Sequence, residues 1–328
     1  MRRYVTIGRS WITDSFIEGA ARTGVWEYYG VYSRDRQSGE VFAARHGIAR
    51  VYTSIADLAA DTAVDGVYVA SPNVCHVEQC RQLLAAGKHV LCEKPLAAQA
   101  SQVEELQHLA EEKGVVYLEA IMYMHAPARE VLREAVARAG CLSMVRLDFC
   151  QRSSKYDAYR AGSLPNIFNP AMETGTLMDL GIYCVYPVID LFGPPRDVLA
   201  AATFLDSGAD GAGSALLLYP DKQVVLTYSK TAEGGIRSEF IGDAGAVTVG
   251  SISKVADITF VPTGGVPQKL YGEEEKAALM GYEAESFYRF IEEPAHPHYA
   301  RCRETALQTA RTLEAIRQKA GICFPSDD

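Results

Sequence analysis

A doubly wound α/β domain followed by an α+β domain with a large, open, mostly antiparallel sheet is the fold class that three observations predict. Strand-like and helix-like segments alternate six times through the first third of the chain. The strands there are near-continuous apolar runs, Gly66–Ala70 and His89–Cys92 among them, as in parallel sheets buried on both faces. Beyond about residue 120 the alternation stops, and short β segments follow one another between turn pairs such as Pro220-Asp221, Gly234-Gly235, Gly242-Asp243 and Gly264-Gly265. The expected division is a dinucleotide-binding domain over 1–120 and a substrate-binding, oligomerising domain over 121–328, with the final helix free to pack back on the first.

The bulk properties exclude several function classes. A chain of 328 residues holds two domains at roughly 100–200 residues each. Hydrophobic residues make up 48% and charged ones 22%, with a net charge of -9, a balance that argues against nucleic acid or an anionic membrane surface as the main partner. No apolar run is expected to reach the ~20 residues of a membrane span. The N-terminus passes from Met1-Arg2-Arg3 straight into Tyr4-Val5-Thr6-Ile7 without a signal-peptide core, so the cytoplasm is the expected location. The eight cysteines include no CxxC pair and read as reduced, largely buried thiols. His296 and His298 are the only close histidine pair, with no third ligand at a recognisable spacing, so no metal is expected.

The first strand, Tyr4–Ile7, runs into Gly8-Arg9-Ser10-Trp11-Ile12-Thr13 and a helix expected over about Asp14–Thr23, stopped by Gly24. Strand, small-residue turn and helix form a phosphate-binding unit, with helix N-terminal amides facing the pyrophosphate. Gly8, Ser10, Trp11 and Ile12 are therefore cofactor candidates. The second glycine of the usual pattern is Ser10 and the third is Thr13, which weakens the signature. The next strand ends in Ser33-Arg34. A hydroxyl and a guanidinium there suit a ribose 2′-phosphate, so NADP is favoured over NAD. Asp35, directly after, leaves the NAD alternative open.

The strand Gly66–Ala70 ends in Ser71-Pro72-Asn73, and Asn73 and His76 flank the start of the next helix, from which both can face the crevice. His89–Pro95 is an inner strand that stops at an acid, a base and a proline. Ligands of open α/β sheets bind beyond the carboxyl ends of the strands, which puts Glu93 and Lys94 at the crevice. Pro95 stiffens the backbone behind them. In the second domain the sequence predicts helices over Pro127–Arg138, Thr176–Phe192, Gly281–Ile291 and Arg301–Ala320, a polar loop over 152–172, and a strand over Leu142–Cys150. Asp179 and Tyr183 are four apart, so on a helix they share a face.

Glu93-Lys94-Pro95, Ser71-Pro72-Asn73 with His76, Glu119-Ala120-Ile121-Met122-Tyr123, and Asp179-Leu180-Gly181-Ile182-Tyr183 occur in an order and spacing that resembles the glucose-fructose oxidoreductase, inositol dehydrogenase and rhizopine-catabolism family. The Asp-Leu-Gly-Ile-Tyr-Cys run looks most like the branch with dimeric dihydrodiol dehydrogenase and NADP-dependent xylose dehydrogenases. The resemblance implies hydride transfer between a nicotinamide and a CH–OH or carbonyl carbon of a sugar, polyol or dihydrodiol. It implies Lys94 and Tyr183 as a proton-transfer pair, Asp179 orienting the substrate or Lys94, and Ser71, Asn73, His76, Glu93 and Glu119 around the cofactor. A homodimer or higher homo-oligomer through the C-terminal sheet is also expected. Two departures stand out: Glu173-Thr174-Gly175 replaces the family's triple glycine, and Met124-His125-Ala126-Pro127 replaces its Arg-x-His-Pro. The competing reading is a catalytically silent dinucleotide-binding sensor, which the altered glycine turn permits.

Overall fold

The computed structural model describes residues 1–327. Its strands and α-helices, in chain order, are β1 (Arg2–Ile7), α1 (Trp11–Thr23), β2 (Trp26–Tyr32), α2 (Arg36–Arg45), β3 (Arg50–Tyr52), α3 (Ile55–Ala60), β4 (Gly66–Val69), α4 (His76–Ala85), β5 (His89–Glu93), α5 (Ala100–Lys113), β6 (Tyr117–Ala120) and α6 (Met122–His125). There follow α7 (Ala128–Arg138), β7 (Leu142–Cys150), α8 (Tyr156–Arg160), α9 (Ile182–Phe192), β8 (Asp197–Phe204), β9 (Asp210–Leu218), β10 (Gln223–Ser229), β11 (Ser238–Gly242), β12 (Gly245–Val249), β13 (Thr259–Pro262), β14 (Gln268–Lys269), α10 (Lys276–Glu292) and α11 (Pro297–Ala320). They form two compact units, one of residues 1–125 with 275–307 and one of 126–274 with 308–328.

The first unit is built on a six-stranded parallel sheet in the order β3-β2-β1-β4-β5-β6. The order reverses between β1 and β4, and such a switch point is where doubly wound sheets bind ligands. β4 is buried throughout and β5 is buried at Val90, Leu91 and Cys92, which is why these strands lack alternation. α1 starts at Trp11, earlier than expected, because extended Ser10 takes the N-cap and its carbonyl accepts the Asp14 N–H. Its end matches the glycine signal, with Gly24 left-handed at φ 69. Phe16 stacks on Tyr68 at 3.8 Å, fixing α1 over β4.

α10 belongs to this same unit. It starts at Lys276, ahead of the expected Gly281, and Trp26 stacks on its Phe287 at 5.3 Å while donating to the Ala284 carbonyl. α1 and α10 meet where both carry glycine: a Cβ on Gly19 would lie 2.6 Å from the Ala277 carbonyl oxygen and 2.7 Å from the Gly281 nitrogen.

The second unit centres on an eight-stranded sheet in the order β14-β13-β12-β11-β7-β10-β9-β8. Its neighbours are antiparallel except β7 with β10. The loop expected over 152–172 contains α8 and two 3₁₀ turns, at Asn166–Phe168 and Pro170–Met172. Against expectation, Pro170–Phe192 is apolar and long enough to span a membrane by length and composition. Glu173 and Asp179 hide this in the sequence, and most of the stretch is buried within the protein. α7 is fastened to α9 by a forked ion pair, Arg129 donating to Asp190 at 2.9 and 2.8 Å, the geometry that makes arginine the partner of choice for a buried carboxylate.

Because the atoms facing Gly19 are backbone, they cannot yield cheaply. Gly19→Ala is expected to destabilise the protein by about 1–3 kcal/mol through overpacking. Gly272→Ala, with no neighbour within 4 Å, is expected to be near neutral. Paired urea or thermal unfolding curves of the two variants check this.

Candidate functional site

The turn after β1 explains the one glycine of the phosphate signature that survives. Gly8 sits at φ +120, and a Cβ there would lie 2.5 Å from the Ala70 carbonyl oxygen, so both conformation and space call for glycine. Ser10 makes no side-chain cap to α1, which leaves the first-turn amides without a side-chain acceptor. The turn opens on a cleft of about 490 Å³ lined by Gly8, Arg9, Ser10, Ser33, Arg34, Ser71 and Gln79 among others. Trp11 is 65% exposed with the Lys276 ammonium 4.2 Å from its ring centre, and Ile12 is partly buried.

At the far edge of the cleft the three residues after β2 divide their work. Ser33 is buried and its hydroxyl donates to the Asp35 carbonyl at 2.6 Å. Asp35 caps α2, accepting the Ser38 N–H at 2.8 Å. The Ser38 hydroxyl and then its N–H, with smaller help from the charge of Arg9, hold the carboxyl below its ordinary value. Arg34 stays exposed. Arg9, a residue the sequence reading passed over, lines this cleft and also an adjoining groove of about 530 Å³ with Arg45. Its signal was available: the residue between Gly8 and Ser10 must flank whatever occupies the turn.

Between β4 and β5 the site is held from below. His76 is 0% exposed, with Nδ1 2.9 Å from the Pro95 carbonyl and Nε2 2.8 Å from the Ser71 carbonyl. A neutral ring donates to only one of them, and burial, reinforced by the Lys94 charge, lowers its pKa against the pull of the two carbonyls. His76 was expected to face the cofactor. Its burial gives it instead the work of tying the two strand ends together. Ser71 donates to Gln79 at 2.7 Å, and Asn73 opens a 3₁₀ turn ahead of α4.

Glu93 accepts the Tyr68 hydroxyl at 2.5 Å. Burial raises its pKa against the opposing pull of Tyr68, Lys94 and Lys276. Its unforeseen neighbour is Glu283 of α10, 1% exposed, pushed well above the carboxylate range by burial and then by the charge of Glu93. Glu119 is buried too, its Oε1 accepting the Leu96 N–H at 3.2 Å, so it steadies the loop after β5. Lys94 follows Glu93 at the strand end, partly buried, with a cis Lys94-Pro95 bond.

Asp179 and Tyr183 lie in the second unit. Their helix opens as a π-turn over Leu177–Gly181 before continuing as α9, which departs from the regular helix expected. π-turns recur at functional sites. Gly181 permits this one, since a Cβ there would lie 2.8 Å from Leu177 and 3.2 Å from Tyr228. Farther on, Pro187 cannot donate to the Tyr183 carbonyl. Tyr183 packs edge-on against Phe149 of β7 at 5.6 Å. Asp179 forms an ion pair with Lys230, a lysine to which the sequence gave no pointer.

The same helix start is anchored by Asp210, whose Oδ2 accepts the Leu177 N–H at 2.7 Å and whose carbonyl accepts the Thr176 hydroxyl at 2.7 Å. Gly175, the glycine kept from the family's three, is needed because a Cβ there would lie 1.8 Å from Asp210 Oδ1. Burial raises the Asp210 pKa to about 7. Its fold therefore favours the protonated form: this contribution is full below about pH 4 and is lost as pH rises through about 7. Asp210→Asn keeps an acceptor for Leu177 and removes the titration. The wild type is expected to lose stability relative to the variant by up to about 1.4 kcal/mol per pH unit across that window. Urea unfolding of both proteins from about pH 4 to 8 measures the difference, and parallel curves would refute it.

Residues 2–121 match the model of an oxidoreductase family with an NAD-binding Rossmann fold, and residues 128–248 match the GFO/IDH/MocA C-terminal domain. Over its whole length the chain is 36% identical to scyllo-inositol 2-dehydrogenase (NADP(+)) IolU of Bacillus subtilis, covering 99% of that protein. It is 37% identical, again over its whole length and 99% of the relative, to the uncharacterized oxidoreductase YgjR of Escherichia coli. The 3-ketoreductase KijD10 of Actinomadura kijaniata, solved with NADP and TDP-benzene, superposes with a TM-score of 0.84 over 97% of this chain and 98% of that one, at 22% identity, a likeness of fold. A glycine turn that only glycine can make, an uncapped helix start and a cleft at the switch point fit a dinucleotide, and with these matches they establish that the chain belongs to the GFO/IDH/MocA family of NAD(P)-dependent oxidoreductases.

Proposed function

We propose that this protein is an NADP-dependent dehydrogenase or reductase that moves a hydride between the nicotinamide and a CH–OH or carbonyl carbon of a cyclic polyol, sugar or dihydrodiol. The cofactor preference rests on the charge layout at the cleft edge: Asp35 is committed to capping α2, while Arg34 and Arg9 are exposed on the cleft. An acid that binds its own helix competes poorly for a ribose diol, and free guanidinium groups suit a 2′-phosphate. The substrate class rests on the full-length likeness to an inositol dehydrogenase and on the weaker likeness to trans-1,2-dihydrobenzene-1,2-diol dehydrogenases, 29% identical over 90% of both chains for that of Macaca fascicularis.

Once bound, the nicotinamide supplies the hydride acceptor or donor. Lys94 binds the substrate oxygen and holds negative charge there as the hydride leaves the carbon. Tyr183 takes the hydroxyl proton in oxidation and returns it in reduction. A phenol with an ordinary pKa near 10 is a poor base at neutral pH, and a neighbouring ammonium favours its phenolate. Asp179, its charge balanced by Lys230, orients the remaining hydroxyls. Glu93 and His76 keep the strand end that carries Lys94 in place.

Lys94→Ala is expected to lower turnover on scyllo-inositol or a related polyol by about 10²–10⁴-fold while NADPH fluorescence titration shows cofactor binding nearly intact. An unchanged rate would remove Lys94 from the reaction. Arg34→Ala is expected to weaken NADP far more than NAD in the same titration, and equal losses would refute recognition of the 2′-phosphate.

A further inference from the structure

His296 and His298 alone gave no metal-binding pattern, because the partners of His298 come from elsewhere in the chain. Cys302 lies four residues on, one turn along α11 and on the same face. His125 is the last residue of α6. One donor atom from each of His125, His298 and Cys302 lies within 4.8 Å of the other two. The Cys302 sulfur is 3.7 Å from His298 Nε2, and the two imidazole rings cross at 78° with centres 5.9 Å apart. All three residues belong to the first unit.

The surroundings hold these donors in place. Phe290 packs against both imidazoles, at 5.7 Å from His298 and 6.4 Å from His125, and stacks on Tyr299 at 5.2 Å. The Tyr299 hydroxyl accepts the Tyr117 N–H at 3.1 Å, which fixes the first turn of α11 to β6. α6 follows β6 directly, so His125 is positioned from the same strand. His296 Nδ1 accepts the His298 N–H at 3.1 Å. Cys302 is buried, whereas His125 and His298 are half-buried, which leaves one side for an ion to enter.

We propose that His125, His298 and Cys302 form a metal site for zinc or a similar thiophilic divalent ion. Two imidazoles and a thiolate are borderline-soft donors with no carboxylate among them, a set that selects zinc over magnesium or calcium. Ligand atoms around tetrahedral zinc stand ~3.3–3.8 Å apart, given Zn–N near 2.1 Å and Zn–S near 2.3 Å, so sub-ångström to ångström movements close the cluster. Three protein ligands leave the fourth position to water. Binding displaces the Cys302 thiol proton to solvent. The ion clips α6, at the end of the unit's first segment, to α11 in its second, so it stabilises the unit through binding to the folded form alone.

The test uses the full-length protein stripped with a chelator and titrated with zinc against a chromophoric chelator, followed by X-ray absorption of the zinc-loaded wild type. One equivalent is expected, with one sulfur at about 2.3 Å and at least two nitrogens at about 2.0–2.1 Å. Cys302→Ser and His298→Ala are each expected to weaken zinc by more than the roughly 10–100-fold that loss of an outer-shell partner costs. His108→Ala, an exposed histidine on α5, is expected to leave it unchanged. A sulfur-free zinc shell in the wild type, or an affinity that Cys302→Ser does not alter, would overturn the proposal. The wild-type spectrum reads the ligands even if a variant folds poorly.

Discussion

The buried imidazole of His76 is the constraint on which the first unit's ligand-binding edge depends. Its two nitrogens span the carbonyls of Ser71, just past β4, and Pro95, just past β5. Beyond their ends β4 and β5 must each turn into their own helix, and the pairing between the two strands stops at Val69 and Cys92. The His76 side chain ties them beyond that point. With water excluded, the ring stays predominantly neutral, so the link carries no charge to compete with the ammonium of Lys94 next door.

Buried acids do the complementary work. Glu93 with Tyr68, and Glu283 behind it, place carboxyl groups where burial disfavours their ionisation. In the other unit Asp210 is buried against the first amides of the helix that carries Asp179 and Tyr183. A carboxyl group at a helix start is stabilised by the helix amides, yet here desolvation outweighs that help and the pKa stands near 7. In both units a protonatable acid sits beside residues that we propose for the reaction. Fold stability and site geometry are thus linked to proton uptake through the scaffold, separately from any proton the substrate releases.

Much of this was legible in the residues. Apolar runs ending in Ser71-Pro72 and Glu93-Lys94-Pro95 gave the parallel strands and the places where they stop, since a strand buried on both faces is apolar throughout. Gly24 marked a helix end because only a left-handed cap ends it there. What stayed hidden depended on contacts remote in sequence. The Gly19–Gly281 approach and the Glu93–Glu283 pair rest on α10 joining the first sheet. Lys230 opposite Asp179 and Asp210 beneath Leu177 are set by strand register in the second sheet. The π-turn was invisible because periodicity counts residues, not turns, and the extra residue per turn keeps Asp179 and Tyr183 broadly aligned.

The central claim is that the strand end at Lys94 serves hydride transfer from a hydroxyl-bearing carbon to NADP. Its most direct test is to incubate the protein with NADP+ and carbon-deuterated cyclic polyols, sugars and dihydrodiols, and to follow the label by mass spectrometry or NMR. The account predicts deuterium at C4 of the NADPH formed, with the matching ketone or aldehyde as co-product. Tight NADPH binding with no deuterium transferred from any of the three classes would contradict it.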